Sequence, residues 1–521
     1  MKLIIVHYHL RPGGVRRVIE LAVPYILRAG GKSSTVVLAA GEPPDENWLR
    51  DFRRRVAPAR VELVIVPAFS YFSEQRGSGA GLVAKLRAGI DALLGKAEPG
   101  NAVVWAHNLG LGRNLLLTRE IVRGCSRSGI PLLLHHHDWW FDNRWQRWPE
   151  LRRCGFRTLA AVAESIFPAA RTIRHATINH DDTTILEKHF RGRVRWLPNP
   201  AEPALPPPPA RLRFARRWLS KQLGNDAPVW IVPCRLLRRK NIAESLLLTR
   251  WLRPEAWLVT TGGVSSADEQ AYAVKLLAAA QKNGWPLRVG ILAGGGEDKK
   301  PTVPELLAAS EAVLLTSIQE GFGLPNLEAA AVARPLIARR LPNIAPDLAE
   351  FGFRFPQCYD EILVAPELFD WRKEEQRQAV LFRTWLQRLP RSCRAWAGEP
   401  FLLTHRENPQ PVPFSRLTLS AQLEVLVHPA PDSWRLCAPL NPFLRTWKKR
   451  ASAGTLQVTP WPRGAEKWLG GPAYAERFLE IAQAPSRSHG RPADARAVQE
   501  DFVRARLKSA CLFPLLWNPI T

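Results

Sequence analysis

Short apolar runs alternate with amphipathic stretches along most of this chain. In the first two hundred residues the apolar runs, which are typical of buried strands, lie at 2–9, 34–38, 61–67, 102–105, 131–135, 177–179 and 194–198. After the first run, apolar side chains recur at helical spacing from Val15 to Leu27, with Arg16, Arg17 and Glu20 on the opposite face. Strands that alternate with helices predict a parallel sheet covered on both faces.

The same alternation starts again near residue 225. Its apolar runs lie at 229–234, 256–261, 287–292, 312–316 and 335–339. Between the two series stand four consecutive prolines, Pro206 to Pro209, which favour a stiff extended spacer. We therefore predict a first domain over 1–200, a proline-rich linker over 201–224 and a second domain over 225–360. Residues 361–521 form a C-terminal extension, with predicted helices at 371–386 and 472–482.

A glycine loop in the second domain carries two carboxylates. The segment that follows the strand at 312–316 has Glu320 and Glu328 on either side of a Gly-Phe-Gly turn, and good helix formers come after Pro325. The order strand, glycine loop, helix aims backbone N–H groups and a helix N-terminus at one spot, which favours an anion. We expect Glu320 at the start of the loop and Glu328 in the first helical turn, both facing one cavity.

Carboxylates beside a phosphate site suit a ligand that also offers hydroxyl groups. A phosphate alone would be repelled, so Glu320 and Glu328 are better explained as acceptors of hydroxyl hydrogen bonds. A nucleotide sugar, with phosphates between two polyols, has that chemistry. The alternative is a helix-capping glutamate beside a structural turn.

A basic loop follows the strand at 229–234. Arg235 and Lys240 should emerge at the carboxyl end of that strand, where ligands bind in open α/β sheets. Cations there can neutralise a diphosphate, and arginine can do so with two parallel hydrogen bonds. The alternative is a solvated basic face, because Arg238 and Arg239 lie in the same loop.

Together these motifs resemble the retaining glycosyltransferases of family 4. The E-x7-E signature of that family matches Glu320 and Glu328, its Arg-x4-Lys pair matches Arg235 and Lys240, and its Pro-Asn-Pro hinge matches 198–200. The resemblance covers residues 1–350 and becomes thin beyond them. It implies an α/β protein of the GT-B class, with two Rossmann-like domains facing a cleft. It also implies a mainly helical C-terminal extension, one helix of which, predicted at 472–482, crosses back to the first domain.

The resemblance implies a role for each matched residue. Arg235 and Lys240 would stabilise the departing diphosphate, Glu320 would bind the donor sugar, and Glu328 would hold the ribose hydroxyls of a nucleotide diphosphate sugar. The remaining donor-binding candidates are backbone positions in two glycine loops: Gly321, Phe322, Gly323, Leu324, Gly13 and Gly14. The pair Gly13 and Gly14 could also serve only as a tight turn.

Histidines cluster after a strand of the first domain. Three successive residues, His135 to His137, point in different directions and chelate one ion poorly, so we predict no metal ligands among them. The resemblance implies one histidine that contacts the transferred sugar; His137 is the nearest match, and the choice among the three stays open. His107 and Asn108, at another strand end, are acceptor-side candidates. The resemblance implies a metal-independent enzyme with no cofactor.

The composition limits the possible protein class and cellular compartment. Hydrophobic residues make up 46% and charged residues 23%, as in ordinary globular proteins, and no apolar run approaches the roughly 18 residues of a membrane span. The N-terminus lacks the apolar core of a signal peptide. Seven scattered cysteines without a Cys-x-x-Cys pair favour a reducing compartment. We therefore expect a cytoplasmic protein.

The net charge of +26 indicates an acidic partner or surplus solubility charge. No zinc finger or aromatic RNA-binding signature is present in the sequence, so we expect no specific nucleic-acid partner. A carbohydrate or lipid-linked acceptor fits the charge, and peripheral contact with an anionic membrane at its inner face stays open. Two other functions stay open: a GT-B nucleotide-sugar epimerase, and a non-catalytic protein that binds sugar nucleotides or polyanions.

Overall fold

A computed structural model describes residues 1–31, 34–75, 79–95, 97–264, 267–293, 300–405, 409–483 and 493–517. The chain divides into two compact units. The first unit contains Met1–Ala201, Arg388–Ala395 and Gly464–Arg506. The second unit contains Glu202–Gln387, Trp396–Arg463 and Leu507–Thr521.

Strands of the described residues form two large sheets and one small one. The strands of the first sheet are β1 (Lys2–Val6), β2 (Thr35–Ala40), β3 (Arg60–Ile65), β4 (Ala102–His107), β5 (Leu132–His136), β6 (Ile173–Thr177) and β7 (Val194–Trp196). The strands of the second sheet are β8 (Val229–Val232), β9 (Trp257–Thr260), β10 (Leu287–Arg288), β11 (Ala312–Leu315), β12 (Leu336–Arg339) and β13 (Gln357–Tyr359). The small antiparallel pair is β14 (Leu363–Val364) with β15 (Val412–Pro413).

Helices surround these sheets. Those that precede residue 365 are α1 (Gly14–Ala29), α2 (Glu46–Val56), α3 (Gly79–Leu94), α4 (Leu115–Ser128), α5 (Arg147–Arg153), α6 (Leu159–Ile166), α7 (His180–Glu187), α8 (Pro209–Leu223), α9 (Ile242–Leu252), α10 (Gln270–Lys282), α11 (Val303–Ala309), α12 (Leu324–Ala331) and α13 (Ala345–Glu350). The later ones are α14 (Trp371–Arg388), α15 (Phe401–Thr404), α16 (Leu419–Val427), α17 (Ala430–Cys437), α18 (Phe443–Ser452), α19 (Glu466–Leu469), α20 (Gly471–Gln483) and α21 (Ala495–Arg506).

The first sheet is parallel and has the order β3-β2-β1-β4-β5-β6-β7. Strand order reverses between β1 and β4, so the chain leaves these two neighbours toward opposite faces of the sheet. The strands end level, because Val6 lies opposite both Ala39 of β2 and Ala106 of β4. A ligand crevice is expected at such a reversal, outside the carboxyl ends of the strands.

The second sheet repeats this topology. Its order is β10-β9-β8-β11-β12-β13, with the reversal between β8 and β11. Ile231 of β8 lies opposite Val259 of β9 and Val313 of β11, and all these pairs are parallel. The loops after β8 and β11, which carry the Arg-x4-Lys and E-x7-E residues, therefore flank the reversal point of this sheet.

The C-terminal extension does not form a separate body. Helix α20, which covers the helix predicted at 472–482, lies in the first unit and packs on α1. Its Phe478 ring lies 5.0 Å from the Trp105 ring of β4, measured between centroids. Helices α16, α17 and α18 instead pack on α9 in the second unit. This cover explains why almost every side chain of α9 is buried.

Three local predictions need correction. The predicted linker 201–224 is mostly helix α8, which packs on α11, because proline is tolerated at the first helical position. The strand predicted at 177–179 ends at Thr177, since Asn179 caps α7 by accepting the Asp182 N–H at 2.8 Å. The strand predicted at 287–292 is only two residues long and stops before Gly290, whose φ is +68°. Among the described residues, no helix has the length and apolar character that a membrane span requires.

Candidate functional site

The loop after β11 depends on Gly323. This residue has φ +80° and caps α12 in the left-handed conformation, and its carbonyl accepts a hydrogen bond from Asn326 Nδ2 at 3.0 Å. A Cβ atom at this position would lie 2.6 Å from Asn326 Nδ2 and 2.7 Å from Ile344 Cδ1. Only glycine fits both the backbone angle and the space. The turn thereby connects Glu320 to the N-terminus of α12, which begins four residues later at Leu324.

Glu320 is held between two cations. Its carboxylate accepts hydrogen bonds from Arg239, at 2.7 Å, and from Lys240 Nζ. Only 13% of the Glu320 side chain and 8% of the Lys240 side chain are exposed. Burial alone would raise the pKa of Glu320, but the charges of Arg239 and Lys240 outweigh it and lower that pKa to about 2. The carboxylate is therefore ionised at neutral pH.

Backbone and hydroxyl contacts fasten the two loops to each other. The Thr316 hydroxyl lies 3.0 Å from the carbonyl oxygens of Lys240 and Asn241, and the Ile318 N–H donates to the Arg239 carbonyl at 2.8 Å. Asn241 has φ +47°, so the chain turns sharply from the basic loop into α9. These contacts fix the loop after β8 against the loop after β11 and hold Lys240 facing Glu320.

Arg235 and Lys240 have different surroundings, although the motif presents them as a pair. Lys240 is buried, whereas Arg235 is exposed on the loop after β8. Gly262, after β9, leaves room for the Arg235 backbone, since a Cβ atom there would lie 3.1 Å from Arg235 Cα. The structure brings Glu320 and Lys240 into contact and leaves Arg235 exposed on the same loop.

Arg239 is a residue of this site that the sequence did not single out. In the sequence, its position beside Arg238 indicates only a solvated basic face. Its guanidinium instead donates to the Glu320 carboxylate and to the Gln319 carbonyl, the latter at 2.9 Å. The 3₁₀ turn over Arg238–Lys240 aims neighbouring side chains in directions that a linear pattern does not specify.

The remaining donor-side candidates lie on or beside α12. Glu328 is half-buried and is the fifth residue of the helix, so the expectation that it lies in the first turn is wrong; the helix has no acidic residue there. Phe322 is buried, and its ring lies 6.2 Å from the Phe351 ring, so its side chain packs rather than facing solvent. Gly321 precedes it, and Leu324 begins the helix.

In the first unit, histidines from two neighbouring strands meet on one face of the sheet. His107 of β4 is the register partner of His135 of β5. His137 lies two residues after His135, hence on the same face, and its Nε2 is 3.2 Å from His107 Nδ1. His136 points the other way, where its ring stacks on Trp139 and its Nε2 lies 3.1 Å from His175 Nδ1. The structure thus separates the three adjacent histidines into two groups.

These imidazoles are neutral at pH 7. Burial lowers the pKa of His107 and His135 well below the ordinary value, and each neighbouring histidine adds to the effect. Burial also lowers the pKa of His137 to about 4, although the charge of Asp138 opposes the change. These rings are therefore weak proton acceptors near neutral pH, because the imidazolium that would form is strongly acidic.

Asn108 braces two loops at this edge. It has φ +57°, its Nδ2 donates to Asp138 at 3.2 Å, and its Oδ1 accepts the Asp138 N–H at 2.9 Å. Arg144 donates to the other oxygen of the Asp138 carboxylate at 3.3 Å. The side-chain amide of Asn108 is therefore engaged in holding the β4 and β5 loops together.

Gly13 and Gly14 are exposed at the start of α1. Gly13 has an extended backbone with φ 166°, and its carbonyl accepts the Arg17 N–H at 3.1 Å. A Cβ atom on Gly13 would come no closer than 3.9 Å to the Arg11 carbonyl, and one on Gly14 would meet nothing within 4 Å. Crowding within the first unit therefore does not require glycine at either position.

The carboxyl edge of the first sheet also carries basic and aromatic groups that the sequence did not single out. Arg11 pairs with Glu42, with one contact at 2.7 Å, and the Tyr71 hydroxyl lies 2.9 Å from His9 Nε2. The Arg113 guanidinium lies over the Tyr71 ring at 5.1 Å. These residues come from four different loops, so only the order of the strands brings them together.

Part of the chain is similar to known glycosyl transferases. Residues 219–354 match the family model of glycosyl transferases group 1, a range that includes Arg235, Lys240, Glu320 and Glu328. Over 395 residues the chain is 24% identical to mannosylglucosyl-3-phosphoglycerate synthase of Petrotoga mobilis, which covers 73% of this chain and 72% of that protein.

A solved structure supports the fold. The chain is similar to OtsA in its apo form, with a TM-score of 0.50 and 13% identity over 93% of this chain and 99% of that one. It is also similar to WaaG, a glycosyltransferase involved in lipopolysaccharide biosynthesis, with a TM-score of 0.48 and 14% identity over 93% of this chain and 100% of that one. The expected fold class, α/β of the GT-B kind, is confirmed, and the protein is a glycosyltransferase. Membership of family 4 stays a prediction.

Proposed function

We propose that this glycosyltransferase transfers a sugar from a nucleoside diphosphate sugar to a small anionic acceptor, with retention of the anomeric configuration. The observation that carries the proposal is the ionised carboxylate of Glu320, held by Lys240 and Arg239 at the reversal point of the second sheet. That point is where open α/β sheets bind ligands.

Glu320 suits the sugar end of the donor. An ionised carboxylate only accepts hydrogen bonds, so it binds hydroxyl groups and repels phosphate oxygens. The two cations that hold it also fix its position, which favours a single orientation of the bound sugar. Glu320 would thereby place the anomeric carbon, while Glu328 on α12 would accept hydrogen bonds from the ribose hydroxyls.

The diphosphate would lie beside the basic loop. The Lys240 ammonium has three N–H donors, and the bond to Glu320 uses one of them. Arg235 is exposed on the same loop, and the N-terminus of α12 adds a partial positive charge. Charge that develops on the departing phosphate would thus be stabilised by protein cations, so we propose that no metal ion is needed at the diphosphate.

The reaction would proceed in one balanced exchange. The bond between the anomeric carbon and the diphosphate oxygen breaks, and its electron pair leaves with the phosphate. The acceptor hydroxyl forms the new bond on the same face of the sugar, and its proton passes to the departing phosphate oxygen. Stabilisation of the leaving charge by Arg235 and Lys240 lowers the barrier, because the charge is larger in the transition state than in the bound donor.

An anionic acceptor is supported by the charge of the chain and by its relative. The net charge is +26, and Arg11, Arg113 and Arg144 lie in the loops at the carboxyl edge of the first sheet. The Petrotoga relative is named for a product that contains 3-phosphoglycerate. We therefore propose a phosphorylated or carboxylated acceptor for this chain, in the cytoplasm; contact with a membrane stays a prediction from charge alone.

The donor site can be tested by thermal unfolding with a panel of nucleoside diphosphates. We expect one or two of them to raise the Tm of the wild type, by an amount that follows ligand concentration relative to Kd. Glu328→Ala should lose most of that shift. Glu367→Ala, which removes an exposed carboxylate of the same unit, should keep it. The donor site is wrongly assigned if no nucleoside diphosphate shifts the wild type at millimolar concentration.

The stereochemistry can be tested once a donor is known. With phosphoglycerate and related anions as acceptors, the anomeric configuration of the glycoside product would be read by NMR. We expect the configuration of the donor. A product of inverted configuration would refute the retaining reaction while leaving the donor site intact.

A further inference from the structure

We propose that His107, His135 and His137 bind a divalent transition metal ion, Zn²⁺ foremost, at the carboxyl edge of the first sheet. One ring nitrogen from each of these residues lies within 4.8 Å of one from each of the others. All three side chains are buried, with exposures of 0% for His107 and His135 and 8% for His137. Within the described part of the chain, no other group of at least three histidines, cysteines or carboxylates has this geometry.

The spacing of the nitrogens suits tetrahedral coordination. Zinc binds imidazole nitrogen at about 2.0–2.1 Å, so two such ligands in a tetrahedral site lie about 3.3 Å apart. His107 Nδ1 and His137 Nε2 are 3.2 Å apart. The His135 nitrogen lies no more than 4.8 Å from either of the other two.

An unpartnered atom provides an independent reason. In the described part of the structure, Nε2 of His135 has no hydrogen-bond partner, although the ring is fully buried. Buried polar atoms in native proteins almost always have a partner, a water or an ion. A cation that takes the lone pair of such a nitrogen would satisfy it.

The surroundings of His135 are compatible with a ligand role. The Leu197 backbone is a hydrogen-bond partner of His135, and Trp105 Nε1 donates to His135 Nδ1 at 3.3 Å. Coordination through Nε2 requires the ring proton on Nδ1, so in the metal-bound protein the Leu197 contact would take the place of the Trp105 contact. Three imidazoles without thiolates favour Zn²⁺ and its neighbours Ni²⁺, Cu²⁺ and Co²⁺ over Mg²⁺ or Ca²⁺.

This site differs from the one that the sequence argues against. The sequence argument concerns three adjacent histidines, which point in different directions and chelate one ion poorly. In the structure the third histidine is His107 of the neighbouring strand, not His136. His135 and His137 are separated by one residue, so they share a face with His107. Glu320, Lys240 and Arg239, which carry the proposed donor chemistry, belong instead to the second unit.

Cobalt provides the test, because tetrahedral Co²⁺ absorbs visible light and Zn²⁺ does not. Protein without a polyhistidine tag would be expressed in minimal medium with added Co²⁺, so that the ion can enter before the rings are buried. After dialysis we expect about one Co²⁺ per chain and the intense visible bands of a tetrahedral site. His107→Gln and His135→Gln should each weaken binding at least about 100-fold, since loss of a direct ligand should exceed the 10–100-fold cost of losing a group that orients one.

His136→Gln is the matched control. His136 is buried to the same degree on the same strand and sits between two proposed ligands, but its ring pairs with His175 on the opposite face. This variant should retain Co²⁺. The proposal is overturned if the wild type holds no Co²⁺, or if His136→Gln loses it as completely as the ligand variants do.

Folding of the variants would be checked by far-UV circular dichroism. If a ligand variant does not fold, X-ray absorption of the cobalt-loaded wild type decides instead. A first shell with three imidazoles supports the site, whereas a shell of sulfur ligands or of oxygen ligands alone overturns it.

Discussion

The carboxyl edges of the two sheets have the same topology, but the buried polar groups that meet there differ in charge. In each sheet the strand order reverses beside the first strand of the unit, and the loops from the two central strands meet there. In the second unit these loops bring together ionised groups, Glu320 with Lys240 and Arg239. In the first unit the corresponding loops and strand ends bring together neutral, buried imidazoles.

The difference shows that topology decides where side chains meet and residue type decides what they can do. Burial disfavours charge at both edges. Two cations overcome that effect for Glu320 and keep it ionised. The pKa of His107 and that of His135 are set by burial, by neighbouring histidines and, for His135, by the Leu197 backbone, and both rings stay neutral. The Glu320 carboxylate is therefore suited to accept hydrogen bonds, whereas His107 and His135 offer unprotonated nitrogens.

Loss of the Glu320 charge tests the ionised edge with the largest expected effect. Glu320→Gln should lower kcat by about 100-fold or more, because a positioned group that interacts with the developing transition state contributes on that order. Steady-state kinetics with the identified donor would measure it. Glu305→Gln is the control, since Arg211 likewise lowers the pKa of Glu305 to about 2, but on α11. A Glu320→Gln rate within tenfold of wild type would contradict the assigned role.

Removal of Arg235 tests whether the exposed cation contacts the diphosphate. Arg235→Ala should weaken the binding of the nucleoside diphosphate by about tenfold or more, since a hydrogen bond to a charged group contributes about 1.5–3 kcal/mol. Isothermal titration would give the Kd. Arg288→Ala removes an equal charge from an exposed position on the edge strand β10 and should change the Kd less than twofold. Equal losses in the two variants would indicate a general effect of charge.

Mild acid should separate the stabilities of the two edges. Burial lowers the pKa of His175, in the first unit, from 6.5 to about 3. Below pH 6.5 the unfolded chain protonates this imidazole, while the folded state keeps it neutral. The contribution of His175 to the free energy of unfolding is therefore complete above pH 6.5 and is lost as pH falls toward 3. At pH 5 the loss is about 2 kcal/mol for one such group.

Glu320 behaves differently over the same range. Its pKa is lowered from 4.5 to about 2. Its contribution to the free energy of unfolding is therefore complete above pH 4.5 and is lost only as pH falls toward 2. Between pH 7 and pH 5, in EDTA, amide hydrogen exchange corrected for intrinsic rates should therefore accelerate in β5 and β6 more than in β8 and β11. Equal acceleration of exchange in both sheets would contradict the expected difference in acid sensitivity between the two units.

The smallest predicted effect concerns the glycine turn beside Glu320. Gly323→Ala combines a φ of +80° with contacts of 2.6 and 2.7 Å, whereas Gly284→Ala combines a φ of +62° with open space. Both should lose about 1 kcal/mol from the backbone, and Gly323→Ala should lose about 1 kcal/mol more from crowding. Urea unfolding would measure both. Equal losses would mean that the loop can move away from the added methyl group.

The local elements and the ordering of the motifs follow from the sequence by itself. Apolar periodicity placed most strands of both sheets to within a few residues, because burial against helices imposes the same short pattern wherever a parallel strand lies. The spacing around Glu320 and Glu328 predicted a strand, a glycine turn and a helix, since each depends on residues close along the chain. Glu328 lies one residue beyond the predicted first turn, which is within the usual uncertainty of a helix boundary.

Only the tertiary structure decided which distant groups meet. The ion pair between Lys240 and Glu320 joins residues eighty positions apart, and it exists because β8 and β11 are neighbours in the sheet. The same reason explains why Arg239 belongs to the site and why His107 joins His135 and His137 while His136 does not. Strand order and register fix these contacts, and no local pattern of residues specifies either one.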